Sequence, residues 1–90
     1  MQGVVVYEVE MKQDWDGDKD AELDMIVSMS SADPDFVKGL WFSDGTTGFA
    51  IQVVTDEATA KRWVAENRDM PPEASVTLKS VKAYVLEREA

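Results

Sequence analysis

The segment 36-FVKGLWFSDGTTGFAIQVV-54 decides the fold of this chain. Two runs rich in apolar residues, Phe36 to Phe42 and Gly48 to Val54, flank the pair Asp44-Gly45. An Asp-Gly pair between such runs is a strong short-range signal for a β-hairpin. The segment therefore predicts two adjacent antiparallel strands.

The two faces of this hairpin differ in bulk, because side chains alternate along a strand. One face carries large apolar side chains and is predicted to be the core: Lys38, Leu40, Phe42, Phe49, Ile51 and Val53. The other carries mostly small residues around one tryptophan: Val37, Gly39, Trp41, Gly48, Ala50, Gln52 and Val54. This second face is too apolar for open water, so we expect another molecule to cover it.

The remaining elements follow from periodicity on either side of the hairpin. Alternation predicts a first strand from Val4 to Met11 and a last strand from Ser75 to Glu87, with a bulge near Lys79-Ser80 where the apolar parity changes. Helical spacing predicts a helix from about Lys19 to Ser31 and a second one that runs to about Asn67, with Thr55 as its capping residue and Asp56 and Glu57 in its first turn. The order βαββαβ predicts a single α+β domain over residues 1–90 with the ferredoxin-like arrangement, a four-stranded antiparallel sheet with both helices on one face.

Each predicted helix has an apolar side that is expected to pack on the sheet. In the first helix these positions are Leu23, Ile26, Val27 and Ser30. In the second they are Ala60, Trp63, Val64 and Asn67.

Composition limits the classes of function. The 90 residues include 18 acidic and 9 basic side chains, no histidine and no cysteine, for a formal charge of −9. Such a charge repels a phosphate backbone, so nucleic acid is a poor candidate partner. No apolar run approaches the ~20 residues of a membrane-spanning helix. The first residues lack a signal-peptide pattern, so the expected location is the cytoplasm, without membrane association.

A homodimer is expected, because a chain of this length buries only about 60 to 65% of the surface its unfolded form exposes. The small-residue face is the predicted contact surface. The predicted dimer interface consists of Trp41, Ala50, Gln52 and Val54.

The stretch Asp35 to Trp41, followed by a hairpin and by Thr55-Asp56-Glu57-Ala58 at the start of the second helix, resembles the dimeric α+β barrel superfamily, which includes antibiotic-biosynthesis-monooxygenase type domains. The likeness spans nearly the whole chain, rests on loose motifs and is greatest to small uncharacterised bacterial members. It implies a dimeric barrel but carries over no activity, since fold alone does not define a reaction.

The haem-degrading members of that superfamily offer one comparison by residue. Trp63 falls where their haem-contacting tryptophan lies. Their axial histidine corresponds to the loop around Glu73, however, and their asparagine of the first strand corresponds to the valines of Val4 to Val6. Haem degradation is therefore not expected, and Trp63 is predicted to anchor the second helix in the core.

Other candidate sites are weak. Asp14, Asp16, Asp18 and Asp20 have the carboxylate spacing of a calcium loop, but Gly17 and Met25 occupy positions that an EF-hand fills differently. These aspartates are predicted to begin a helix. The serines have no histidine to activate them, so triad chemistry is excluded, and no metal or cofactor is predicted.

Two hypotheses for function remain. The preferred one is a dimer without catalytic residues that binds a small hydrophobic or aromatic ligand or another protein, with a pocket lined by Tyr7, Phe42, Phe49 and Trp63. The alternative is a cofactor-independent monooxygenase acting on an aromatic or quinol-like substrate, for which Tyr7, Tyr84 and Gln52 are the available polar groups. A hollow space beside Trp63 would favour a ligand or substrate site.

Overall fold

The computed structural model contains four strands and two helices over residues 1–90. In chain order they are β1 (Gly3–Met11), α1 (Lys19–Ala32), β2 (Phe36–Ser43), β3 (Thr47–Val54), α2 (Glu57–Glu66) and β4 (Val76–Val85). The strands form one sheet in the order β2-β3-β1-β4, and every neighbouring pair is antiparallel. This confirms the ferredoxin-like prediction. Neither helix has the length and apolar character needed to cross a membrane.

The β2–β3 turn forms where the Asp-Gly pair predicts it. Asp44 Oδ1 accepts hydrogen bonds from the backbone N–H groups of Thr46 (2.9 Å) and Thr47 (2.8 Å). These two donors hold the pKa of the Asp44 carboxyl below its usual range. Gly45 has φ of +92°, which only glycine adopts without strain.

The bulge in β4 is also confirmed. Glu8 of β1 lies opposite Ser80, and the next residue, Val9, lies opposite Leu78, so Lys79 is the extra residue. The bulge keeps the apolar side chains before and after it on one face of the sheet.

The core lies between α2 and the centre of the sheet. Its fully hidden members are Val5 and Val54, which are 0% exposed and pack with Ala60 and Trp63 of α2. Asp56, rather than the predicted Thr55, caps α2, because it is the Asp56 side chain that accepts a hydrogen bond from Thr59 N at 2.7 Å. Gly3 lets the start of α2 sit directly on β1, because a Cβ atom there would lie 2.6 Å from Asp56 O.

The predicted assignment of the two sheet faces is wrong. The strand pairing within the hairpin is as expected, with Leu40 opposite Ile51 and Phe42 opposite Phe49. The helices, however, cover the small-residue face, where Val54 is fully buried and Gln52 is 5% exposed. The bulky face is the one left open, and Leu40 is 62% exposed.

The physical reason is the space that large side chains need between the helices and the sheet. Small residues on the inner face leave space for the large side chains that α2 and the sheet bring to it, chiefly Trp63 and Trp41. The ring of Trp41 lies over Gly39, where a Cβ atom would fall 2.6 Å from its Cη2 atom. A bulkier β2 could not hold this ring flat against the sheet.

Helix α1 begins and ends as predicted but hardly packs. Asp18 Oδ1 accepts from Ala21 N at 3.0 Å at the N-terminus, and Asp33 follows the last helical residue. None of the fourteen residues of α1 is buried. Leu23 and Val27, predicted to face a core, are 40% and 38% exposed. The helix stands off the sheet.

The uncovered face of the sheet is formed by Val4, Val6, Leu40, Phe42, Phe49, Ile51 and Tyr84. Residues 86–90 cross one end of the sheet. Leu86 N donates to Gln2 O at 2.9 Å, and Glu89 forms an ion pair with Lys38 on the opposite edge strand. Val53, which pairs with Lys38, is buried at this end, and the rest of the uncovered face stays open.

Candidate ligand-binding cavity

A cavity of about 600 Å³ lies where α1 stands off the sheet. Leu23, Ile26 and Met29 of α1 form one side of it. The opposite side is the inner face of the sheet, and most of the lining residues are hydrophobic. This volume falls within the range of small-molecule sites in proteins.

Small residues on β3 make the cavity possible. Gly48 and Ala50 form its floor between larger neighbours on β1 and β2. A Cβ atom at Gly48 would lie 3.0 Å from both Met11 Sδ and Val9 Cγ2, so the floor there is already filled to its limit. Ala50, with a single methyl group between Tyr7 and Trp41 on the neighbouring strands, lines the hollow.

Three aromatic residues stand around this hollow: Tyr7 on β1, Trp41 on β2 and Trp63 on α2. Trp63 is 7% exposed and belongs to both the core and the cavity wall. The prediction that it anchors α2 is therefore confirmed by its burial. The sequence left open whether the space beside it is filled, and the structure has a hollow there.

Polar contacts, rather than apolar burial, attach α1 to the rest of the molecule. Near its start, the Glu22 carboxylate accepts from Ser75 N at 3.0 Å and from the Ser75 hydroxyl. Near its end, Ser30 Oγ accepts from Gln52 Nε2 at 3.0 Å. The apolar middle of the helix spans the cavity between these two attachments.

Gln52 is the one polar side chain on the inner face of β3. Its Nε2 is used by Ser30, whereas Oε1 is the only buried polar side-chain atom of the chain without a hydrogen-bond partner. A buried acceptor without a donor costs about 1–3 kcal/mol. Gln52, in the wall of the cavity, thus carries a buried acceptor without a donor.

Tyr7 has the most strongly shifted acid–base equilibrium of the cavity residues. Burial raises the pKa of its phenol to about 12, and the negative charge of Glu66 adds to the effect. At neutral pH the hydroxyl is protonated. Tyr7 is consequently a hydrogen-bond donor rather than a base.

The structure separates the four predicted pocket residues into two groups. Tyr7 and Trp63 line the cavity from the inner face. Phe42 and Phe49 border it only at the edge, since they occupy strand positions of the opposite face, where their rings stack with centroids 5.5 Å apart.

The four predicted interface residues all lie on the helix side of the sheet. Trp41, Ala50 and Gln52 line the cavity, and Val54 is in the core with no exposed surface. A fully buried Val54 cannot contact a second subunit, so this placement of the interface is wrong. Tyr84, considered above as a polar group for an oxygenase, lies on the uncovered face and is half exposed.

The four aspartates between residues 14 and 20 do not form a metal site. No three carboxylates in the chain converge into a group that could hold an ion. Asp18 instead caps α1, as the helix-start interpretation predicts.

Sequence reasoning missed Glu22 and Ser75, whose contact joins residues 53 positions apart. Nothing local marks this pair. Ser30 was assigned only to the apolar stripe of its helix; its polarity amid apolar residues was a signal that it meets a polar partner. No family model, curated protein or solved structure matches this chain.

Proposed function

We propose that this protein is a small-ligand-binding module that works as a homodimer of the dimeric α+β barrel type, with its ligand held in the cavity beneath α1. The observation that carries the proposal is a hollow of about 600 Å³ under a helix that buries none of its own side chains. A helix whose apolar side is not buried gains stability when an apolar molecule fills the space beside it.

Binding of a neutral apolar dye, Nile red, tests the site. Ala50→Leu places a larger side chain on the cavity floor and is expected to abolish the rise in dye fluorescence. Ala65→Leu makes the same change on an exposed position of α2 and is expected to leave the fluorescence unchanged. Equal dye binding by the two variants would contradict the proposed site.

The dimer is supported by the surface of the single chain. It exposes 6058 Å², whereas a folded monomer of 10.0 kDa exposes about 5,200 Å² on average. The excess of about 800 Å² is close to what one partner loses in a stable interface. We assign the contact to the uncovered face, around Leu40 and Phe42, with a second copy of this chain as the occupant.

The oxygenase hypothesis gains less support from the site. It needs a group that withdraws a proton from the substrate, and Tyr7 keeps its own proton at neutral pH because its pKa is raised to about 12. Gln52 is not a base, and Tyr84 is on the other face. Binding is therefore the function that the cavity supports best.

A further inference from the structure

The charged side chains around the cavity are mostly negative. Glu22, Asp33 and Glu66 are lining residues, and Lys19 is the only cationic one. Lys19 forms no ion pair with any of the three. Of the three acidic residues only Glu66 has an ion-pair partner, Arg62, whose Nε lies 3.5 Å from Glu66 Oε1. The field within the cavity therefore favours a positive charge.

The aromatic walls favour the same sign. Tyr7 and Trp41 line the hollow from the inner face of the sheet, on either side of Ala50, and Trp63 lines it from α2. The faces of such rings carry partial negative charge and attract ammonium groups, most strongly where water is excluded. Aromatic walls therefore suit a ligand that carries a positively charged nitrogen on an apolar group.

From these two observations we infer that the cavity beneath α1 takes an organic amine, a protonated nitrogen carried on an apolar body, in preference to a carboxylic acid. This inference rests on the proposed ligand-binding function. It adds the chemical class of the ligand.

Three naphthalene compounds with the same apolar body test the inference: 2-(1-naphthyl)ethylamine, 2-(1-naphthyl)ethanol and 1-naphthylacetate. Each is titrated at neutral pH and low salt into the ¹⁵N-labelled protein, and the three tryptophan indole N–H signals are followed. Trp41 and Trp63 line the cavity, whereas Trp15 Nε1 donates to Glu73 O at 2.9 Å outside it and serves as the internal reference.

The amine is expected to shift the Trp41 and Trp63 signals, to leave that of Trp15 in place, and to bind about tenfold or more tightly than the acid. Glu66→Gln is expected to weaken amine binding about threefold without changing that of the alcohol. Glu57→Gln makes the same charge change on the same helix away from the cavity and is expected to have no effect.

Two results would overturn the inference while the ligand-binding function stands: acid or alcohol binding as tightly as the amine, or Glu57→Gln weakening amine binding as much as Glu66→Gln. The second result would mean that the amine responds only to the overall charge of −9. If no compound moves the Trp41 or Trp63 signals, the inference and the proposed function both fail.

Discussion

Trp63 has two roles at the residue scale, since its ring fills the core on one side and borders the cavity on the other. Its 7% exposure indicates that the core role dominates its contribution to stability. The ring packs with Val5, Val54 and Ala60, and this cluster contains the two largest fully buried side chains of the molecule. Removing the ring would open the core to the cavity.

Trp63→Ala is accordingly expected to lower the free energy of unfolding by about 3–5 kcal/mol, the usual loss for a buried tryptophan. Trp41→Ala is the matched control, because that ring is only partly buried, and a smaller loss is expected. Urea unfolding followed by circular dichroism measures both. Equal losses for the two variants would show that Trp63 is not the anchor.

Tyr7 gives the fold a dependence on alkaline pH. Below about pH 10 the phenol is protonated in the folded and unfolded chains alike, so it does not make the free energy of unfolding depend on pH. As the pH rises from there toward the folded pKa of about 12, only the unfolded chain loses the proton, and the stability falls. Tyr7→Phe is expected to remove this part of the loss.

Urea midpoints of the original protein and of Tyr7→Phe, measured at about pH 8 and about pH 11, check the sign and size of the effect. The original protein should lose more stability than the variant between the two values. Parallel losses would mean that the environment of Tyr7 does not disfavour its ionised form.

At the scale of elements, the two helices are held by different forces. Helix α2 buries Thr59, Ala60 and Trp63 against the sheet, whereas α1 buries nothing and depends on the Glu22–Ser75 and Ser30–Gln52 contacts. Apolar burial contributes more stability than a few part-buried polar contacts. Helix α1 should therefore open without unfolding the rest of the chain.

Native-state hydrogen exchange is expected to show faster exchange in α1 than in α2 and β1. Ser75→Ala removes the hydroxyl donor to Glu22 and should accelerate exchange in α1 further, while α2 stays unchanged. Ser80→Ala, which removes a hydroxyl from β4, the strand that follows Ser75, without touching α1, is the control. Equal protection of the two helices would contradict a loosely held α1.

The sequence predicts the features that are determined by residues close together in the chain, and it fails for those that depend on contacts between distant segments. The hairpin at Asp44-Gly45, the helix start at Asp18 and the bulge at Lys79 are local and were predicted. Which face of the sheet meets the helices depends on contacts between distant segments, such as Val54 with Ala60.

Bulk was a misleading guide to the buried face in this case. Large side chains on a strand usually mark the core. Here the inner face holds the large rings of Trp63 and Trp41, and these rings need small residues beside them, such as Gly39 beneath Trp41. The cavity had a visible signal in Gly48 and Ala50, which were noted as small. The Glu22–Ser75 contact had none.

At the scale of the whole molecule, the chain is incomplete as a packed unit. Only ten of its 90 residues are buried, and Leu40, Phe42 and Tyr84 lie half exposed or more on the uncovered face. A second copy placed face to face by two-fold symmetry would bury the same residues on both subunits. The dimer is therefore expected to contribute to the stability of each chain.

Leu40→Glu is expected to yield monomers, because association would bury an unpaired charge. Met25→Glu introduces the same charge on the outer side of α1, at a residue of similar exposure, and should leave the dimer intact. Analytical ultracentrifugation of both variants measures the masses. A dimer of undiminished affinity in Leu40→Glu would place the contact elsewhere.

The exposed position of α1 has a consequence for how this protein can change. Substitutions in a core must preserve volume and shape, whereas exposed positions accept most side chains with little loss of stability. Leu23, Ile26 and Met29 border the cavity from a helix without buried residues. If the cavity binds a ligand as proposed, their replacement would alter which molecules fit while the sheet and α2 keep the fold, so that selectivity and stability could change independently in evolution.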